Sequence, residues 1–192
     1  MWPGQSENIK SFFTASFPEK TILEVQEKSF EPPYVFVFVG NLVPGKGLKR
    51  AVALVQELME RGASCSLEIY GEGPERKPVE EHIEGLGLKG IEFKGSQPLE
   101  ELKKAYQRAH FVVLPSRSEG WPKAVAEAMF FGCIPIATEV SCVPWMLGNG
   151  SRGILLDINY ELGIQNSELE GIIDLLQRPA EMKRMSEEAR GW

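Results

Sequence analysis

Two glutamates near the start of a predicted helix are the residues of this chain best suited to bind a polar ligand. Glu127 is the only charged side chain between Ala124 and Ala137, in an otherwise apolar stretch. A carboxylate in such surroundings is costly unless it is paired or accepts hydrogen bonds, and the hydroxyl groups of a sugar would satisfy it. Glu119 lies eight positions earlier, in the loop that leads into the helix. The two carboxylates are therefore separated by about one helical turn of rise or more.

The segment between the two glutamates is typical of an anion-binding helix start. Gly120 and Trp121 form a loop, and Pro122 suits the first position of a helix. The free N–H groups at that point and the helix dipole attract a negative group, so that a diphosphate fits there without a metal. One carboxylate could then reach a hexose and the other a ribose, on either side of the diphosphate. The residues alone leave an alternative open, in which Glu119 caps the helix and Glu127 is solvated or salt-bridged.

A second candidate loop runs from Gly40 to Gly47, after the first predicted strand, and contains Asn41 and Lys46. Its glycines allow close backbone approach to a ligand, and Lys46 can supply a point charge to phosphate. The GKS/T ending of a P-loop and the G-x-G-x-x-G dinucleotide fingerprint are both absent. That absence disfavours a nicotinamide dehydrogenase. The alternative interpretation is a plain strand-to-helix turn with an exposed lysine.

Two shorter loops follow the next two predicted strands. Gly71 and Gly73 belong to the first, which ends at Pro74, and Ser96 follows Gly95 in the second. Each is compatible with a simple tight turn. Ser96 is also a candidate for a base-binding loop. Because the loops come after successive strands, we expect them at the same edge of the sheet.

The elements that must position these loops alternate between strand and helix. Strands are predicted at 34–39, 66–70, 91–93, 110–114, 134–137 and 153–156, and helices at 48–59, 79–86, 99–109, 122–131, 169–176 and 181–190. Continuous apolar strands suit a parallel sheet that is covered on both faces. The sequence therefore predicts an α/β fold, a Rossmann-like doubly wound parallel sheet of about six strands with helices on both faces. Ligands bind such sheets at the carboxyl ends of the strands.

Composition narrows the class of protein. The chain has 192 residues, 43% of them apolar and 25% charged, and a net charge of −6, which disfavours nucleic acid or an anionic membrane as the main partner. Its apolar runs are shorter than the ~20 residues of a transmembrane helix. The odd cysteine count, with Cys65, Cys133 and Cys142 at no metal-binding spacing, indicates reduced thiols in a cytosolic protein.

The chain divides near its first prolines. Residues 1–33 are interpreted as a leading segment or interdomain linker, with a short strand at 9–14, because Pro32 and Pro33 break regular structure. Residues 34–192 form the regular domain. His82 and His110 have no catalytic partner nearby in the sequence, and we expect them to be surface or satisfied core residues.

Four segments together resemble the C-terminal domain of family 4 glycosyltransferases. They are Gly40-Asn41-Leu42 with Gly45-Lys46-Gly47, Gly71-Glu72-Gly73-Pro74, the stretch from Glu119 to Met129, and the stretch from Gly132 to Thr138. The resemblance covers about residues 34–190, and its most specific feature is the spacing of Glu119 and Glu127. It implies the GT-B fold, in which two Rossmann-like domains face each other across a cleft, with this chain as one half.

The resemblance also implies roles for individual residues. Glu119 would contact the transferred sugar, Glu127 the ribose, and the backbone near Gly120 and Trp121 the diphosphate. Lys46 would neutralise the diphosphate in place of a metal and would act with Glu119 in catalysis. The implied donor-binding set is Gly40, Asn41, Lys46, Gly71, Gly73, Ser96, Glu119, Gly120, Trp121, Pro122, Lys123 and Glu127.

The function implied by the resemblance is retaining transfer of a hexosyl group from a nucleotide sugar, such as a UDP- or GDP-hexose, to an acceptor in bacterial surface glycan synthesis. No metal and no cofactor are expected. The partner is an N-terminal acceptor domain of the same full-length protein, without which the chain should bind nucleotide but transfer sugar poorly. The expected location is cytoplasmic, with peripheral contact to the inner face of the membrane in the full-length protein.

Two departures from the family pattern affect the donor site. Many members carry arginine where Asn41 stands, so that one phosphate contact is missing or replaced. Many carry a small-Gly-x-Pro-Glu stretch where this chain has Ser141 to Trp145, which favours an unusual donor. The alternative function is a stand-alone, non-catalytic module that binds a nucleotide or a sugar nucleotide. A native gene without a second Rossmann-like domain upstream would favour that alternative.

Overall fold

The structure is a computed structural model that describes residue 25, residues 27–159 and residues 164–192. The strands are β1 Tyr34–Val39, β2 Cys65–Tyr70, β3 Ile91–Gly95, β4 Phe111–Leu114, β5 Ile134–Thr138 and β6 Ile154–Leu156. The helices are α1 Leu48–Glu60, α2 Arg76–Gly85, α3 Leu99–Arg108, α4 Lys123–Phe130, α5 Val143–Met146, α6 Asn166–Leu176 and α7 Pro179–Arg190. A short 3₁₀ helix, Gly148–Gly150, precedes β6.

The six strands form one parallel sheet in the order β3-β2-β1-β4-β5-β6. From β1 the chain adds β2 and β3 toward one edge of the sheet, and from β4 it adds β5 and β6 toward the other edge. β1 and β4 are neighbours in the middle of the sheet, so that their carboxyl ends lie side by side. The predicted α/β fold, a doubly wound parallel sheet with helices on both faces, is confirmed.

Side chains from both faces of β1 are buried, which explains its unbroken apolar sequence. Phe36 and Phe38 belong to the larger core, together with residues of α1 and α6. Val37, between them, belongs to a smaller core with Tyr106 of α3 and Phe131 at the end of α4. Alternate residues of one strand therefore pack under helices on opposite faces of the sheet, as expected of a central parallel strand.

The observed helix starts differ from those predicted from apolar periodicity where polar residues form the first turn of the helix. α2 begins at Arg76, three residues before the predicted start at residue 79, and contains Pro78 in its first turn, where the missing N–H is not needed. α6 begins at Asn166, three residues before its first apolar position, because Gln165 and Glu168 form a reciprocal capping box. The Gln165 N–H donates to Glu168 Oε2 at 2.9 Å.

The end of the predicted leading segment lies against the sheet domain. Phe30 is buried in the larger core. Lys28 Nζ donates to the carbonyl oxygens of Tyr106 at 2.6 Å and Gln107 at 2.7 Å, near the end of α3. The strand predicted at 9–14 lies outside the described residues. In the ranges that the structure covers, no helix has both the length and the apolar character needed to span a bilayer.

His110 joins the leading segment to the sheet as a neutral imidazole. The Val35 N–H donates to His110 Nδ1 at 2.9 Å, and Nε2 lies 3.0 Å from the carbonyl oxygen of Ser29. Nδ1 must therefore be unprotonated, and Nε2 carries the hydrogen. Burial lowers the pKa of His110 below 6.5, and the positive charge of Lys28 lowers it further. His82, in contrast, is exposed on α2.

Replacing His110 with Gln should reduce the loss of unfolding free energy that occurs as the pH falls. Since folding lowers the pKa, the unfolded chain takes up a proton below about pH 6.5 that the folded chain resists, and stability falls there. The loss of unfolding free energy between about pH 7.5 and about pH 5.5 should be smaller in the variant, by up to about 1.4 kcal/mol per pKa unit of depression. Urea titrations at both pH values measure it. His82→Gln, at an exposed position of α2, is the control for the loss of a histidine. An unchanged slope in His110→Gln would contradict the assignment.

Candidate functional site

The loops that follow β1 and β4 enclose a cleft of about 450 Å³ at the carboxyl edge of the sheet. This is the switch point of the strand order, where open parallel sheets bind ligands. The cleft is lined by Val39, Gly40, Asn41, Lys46, Leu114, Glu119, Trp121, Pro122, Lys123, Ala124 and Glu127. Predicted site residues from two segments that are far apart in the sequence thus line one cavity.

An ion pair joins the two loops inside this cleft. Lys46 Nζ donates to Glu119 Oε1 at 2.8 Å. The side chain of Glu119 is 7% exposed and that of Lys46 is 33% exposed. A carboxylate so far removed from water requires a charged or hydrogen-bonding partner. Glu119 therefore pairs with Lys46, and the alternative in which it caps the following helix is wrong.

Backbone contacts place these two side chains opposite each other. The Arg117 N–H donates to the Gly45 carbonyl oxygen at 2.8 Å, and Ser116 Oγ donates to the Lys46 carbonyl oxygen at 3.3 Å. Gly47 has a φ of +81°, and a Cβ added to it would lie 2.1 Å from the carbonyl oxygen of Pro115. A glycine is therefore required for the two loops to approach this closely.

The start of α4 faces the same cleft. The helix begins at Lys123, one residue later than predicted, so that Pro122 is its N-cap residue, and no side chain caps the helix. Lys123, the first helical residue, is exposed and lines the cleft. The cleft thus contains two lysines and two glutamates together with a helix start that attracts negative charge. Among the described residues, no group of three or more His, Cys, Asp or Glu side chains could hold a metal ion.

Glu127 lies half-buried on α4 and accepts a hydrogen bond from a buried tyrosine. The hydroxyl of Tyr106 donates to Glu127 Oε2 at 3.4 Å, a long and weak contact. Burial raises the pKa of Tyr106 well above its usual value, and the charge of Glu127 adds to the effect. This long contact leaves most of the hydrogen-bonding capacity of the carboxylate available to a ligand in the cleft.

A second crevice of about 230 Å³ continues from the first toward β2 and β3. Both are lined by Val39, Gly40 and Asn41. The second crevice is further lined by Tyr70, Gly71, Glu72, Ser96, Gln97 and Leu102. The structure therefore brings the predicted loop residues Gly71 and Ser96 next to the main cleft.

Gly73 and Gly120 line neither of these two crevices. Gly73 allows close packing of two loops, since a Cβ there would lie 2.4 Å from the carbonyl oxygen of Leu42. This packing role is separate from the predicted ligand contact, which stays a prediction. The carbonyl oxygen of Gly120 accepts a hydrogen bond from Cys142 Sγ at 3.3 Å. This contact ties the loop after β5 to the loop that carries Glu119.

Sequence reasoning missed Tyr70 and Gln97 as site residues, and it placed Cys142 and Trp145 near the donor only as part of the stretch Ser141 to Trp145. Tyr70 and Gln97 line the second crevice; their positions at or just after strand ends were the available signal. Cys142 lies close enough to Glu119 that the carboxylate contributes to raising the pKa of the thiol, after the larger effect of burial. Trp145 is 58% exposed, and its ring centroid lies 6.5 Å from that of Trp121.

Residues 19–192 match the family model described as glycosyl transferases group 1. An alpha-D-kanosaminyltransferase of Streptomyces kanamyceticus is 27% identical over 157 residues, which are 81% of this chain and 39% of that protein. A GDP-mannose:cellobiosyl-diphosphopolyprenol alpha-mannosyltransferase of Xanthomonas oryzae is 30% identical over 132 residues, 66% of this chain and 34% of that protein.

Similarity to solved structures supports the fold. The structure of HepE from Anabaena in complex with UDP-glucose aligns with a TM-score of 0.68 at 18% identity, covering 83% of this chain and 43% of that one. The first curated relatives are matched over 31% to 41% of their length. The chain therefore spans about two fifths or less of those relatives.

Replacing Gly47 with Ala should destabilise the chain more than the same change at Gly45. Both glycines have positive φ angles, +81° and +91°, so that each alanine costs about 1–2 kcal/mol of backbone strain. Only at Gly47 would the new methyl group also meet Pro115, which should add about 1–3 kcal/mol. Unfolding free energies from urea titration measure the difference. Equal losses for the two variants would argue against the close loop contact.

Proposed function

The chain belongs to the glycosyl transferases of group 1, and from that premise we propose that it is the donor-binding domain of a retaining, family 4 hexosyltransferase with the GT-B fold. The observation that carries the proposal is the cleft at the switch point, in which Lys46, Glu119 and Glu127 meet beside the start of α4. The ligand that suits this combination carries a diphosphate between two groups rich in hydroxyls.

The diphosphate binds where positive charge is concentrated. Lys46 and Lys123 line the cleft, and the amino end of α4 adds the positive end of its dipole. These groups neutralise the charge that develops on the departing nucleoside diphosphate, which stabilises the transition state electrostatically. In this proposal the lysines supply the positive charge that a divalent metal supplies elsewhere, and the reaction requires neither a metal nor a cofactor.

The nucleoside occupies the side of the cleft toward β2 and β3. Glu127 accepts hydrogen bonds from the ribose hydroxyls, because its contact with Tyr106 is long. The base enters the adjoining crevice, between the loops that contain Gly71 and Ser96. Tyr70 and Gln97 also line this crevice and come within reach of the base in this arrangement.

The transferred sugar lies at the opposite end, where Glu119 accepts hydrogen bonds from its hydroxyls. The structure of HepE was solved with UDP-glucose, and a nucleotide hexose is the donor class we assign to this chain. Retention of anomeric configuration follows from the proposed family membership, with same-face attack on the sugar. Glu119 and Lys46 are the residues we assign to this step.

The remaining parts of the reaction belong to a longer protein in this proposal. Because the chain spans about two fifths or less of its curated relatives, we assign acceptor binding to an N-terminal domain of the same full-length protein. The Xanthomonas oryzae relative is named for a lipid-linked saccharide acceptor, which supports a role in bacterial surface glycan synthesis. That role places the site in the cytoplasm, with peripheral contact to the inner face of the membrane.

Calorimetric titration with UDP, GDP, ADP and their hexose conjugates tests the donor assignment directly. We expect one nucleoside diphosphate and its sugar conjugate to bind in preference to the others, because one base should fit the crevice best. EDTA in the buffer should leave the affinity unchanged if lysines alone neutralise the diphosphate. A folded protein that binds none of these ligands would contradict the proposed function.

Lys46→Ala should weaken binding of the preferred nucleoside diphosphate by about 1–3 kcal/mol, the range for hydrogen bonds to charged groups. Lys49→Ala provides the matched control, since Lys49 is an exposed lysine of α1 that lines a different pocket. It should bind like wild type. If the two variants lose affinity equally, Lys46 has no specific contact with the diphosphate.

A further inference from the structure

We propose that the Lys46–Glu119 ion pair makes the site prefer a nucleoside diphosphate that still carries its sugar over the free nucleoside diphosphate. The inference rests on the proposed function and adds a property to it. The pair would join recognition of the diphosphate to recognition of the sugar. Recognition of the diphosphate alone would not give this preference, and a sugar contact alone would give it without lowering the affinity for the free nucleoside diphosphate.

The first observation is that the two charges already satisfy each other before any ligand binds. Lys46 Nζ lies 2.8 Å from Glu119 Oε1, and Lys46 is the one hydrogen-bonding partner that Glu119 has among the described residues. The backbone contacts at Gly45 and Lys46 hold the two loops together. These contacts place Glu119 and Lys46 opposite each other in the absence of a ligand.

Glu119 lowers the affinity for a free nucleoside diphosphate in either of two ways. If Lys46 turns to the phosphate, it leaves a carboxylate that is 7% exposed without its cation, and such a charge is costly. If Lys46 keeps its bond to Glu119, its charge is largely neutralised, and the phosphate lies close to a negative group. Both routes lower the affinity for a nucleoside diphosphate alone.

A sugar on the diphosphate removes this loss of affinity. Its hydroxyl groups donate hydrogen bonds to Glu119 and take the place of Lys46, which is then available to the phosphate. When the sugar nucleotide binds, Lys46 and Glu119 each exchange one hydrogen-bonding partner for another. The free nucleoside diphosphate offers no new partner to Glu119. After the sugar has been transferred, the same pair favours release of the product.

Glu119→Gln separates this coupling from a simple sugar contact. The amide keeps the shape of the side chain but cannot form an ion pair, so that Lys46 is available from the start. We expect the preferred nucleoside diphosphate of the UDP, GDP and ADP panel to bind about tenfold more tightly than to wild type, from the usual strength of one charged hydrogen bond. The advantage that the sugar conjugate has over the free nucleoside diphosphate in wild type should shrink or reverse in the variant, as both dissociation constants from calorimetry will show.

Two controls identify Lys46 as the cause. Glu139→Gln removes one exposed negative charge elsewhere and should leave both affinities unchanged. Glu119→Gln placed in a Lys46→Met background should give a smaller gain in nucleoside diphosphate affinity, because the lysine that it releases is gone and only the repulsion between Glu119 and the phosphate is relieved. A similar gain in that background would reduce the effect to general electrostatics and overturn the coupling.

The outcomes distinguish the two proposals. If wild type binds a nucleoside diphosphate and Glu119→Gln leaves that affinity unchanged or lowers it, the coupling is wrong and the donor site stands. If wild type binds none of the panel, the proposed function fails and the coupling with it. A thermal melt of each variant confirms that the compared proteins are folded.

Discussion

The loops that follow β1 and β4 contact each other through their backbones, and the candidate site depends on that contact. Parallel pairing of the two strands brings their carboxyl ends together, and Gly47 lets one loop lie against Pro115 of the other. Two hydrogen bonds from residues 116 and 117 then fix the spacing. With the backbones held in this way, Lys46 reaches Glu119 across a chain separation of 73 residues.

This arrangement places a pair of opposite charges where the carboxylate is largely shielded from solvent. Glu119 is nearly buried, and the side chain of Lys46 lies beside it as an ion-pair partner. Glu127, eight residues later and on the helix, has only a long contact with a tyrosine hydroxyl. The two carboxylates of the motif therefore differ in their resting state: one is satisfied by a cation, and the other is largely open to a ligand.

Much of this molecule could be predicted from sequence because its strands are buried on both faces. The run from Tyr34 to Val39 can only be accommodated in the middle of a covered sheet, and β1 occupies that place. The loops were predictable for the same reason, since parallel strands end at one edge. Helix starts were harder to predict, because the capping box at Gln165 lies before the first apolar residue of the helix.

Pairwise contacts were not accessible from the pattern. Nothing local in the sequence distinguishes Glu119 as a helix cap from Glu119 as the partner of a lysine 73 positions away. Gly73 could serve a ligand or a neighbouring backbone, and its close approach to Leu42 is visible only in the structure. Such choices depend on distances between separate βα units, which composition and periodicity do not encode.

Two carboxylates in a cleft suited to a diphosphate raise an electrostatic question of their own. If the ligand were only an anion, each glutamate would weaken its binding, and neutral side chains would serve better. Carboxylates are useful where the ligand also presents hydroxyl groups, because each oxygen accepts hydrogen bonds that water would otherwise satisfy. Together, two acids and two lysines around one helix start therefore favour a ligand that alternates between charge and hydroxyls, and they disfavour a simple phosphate.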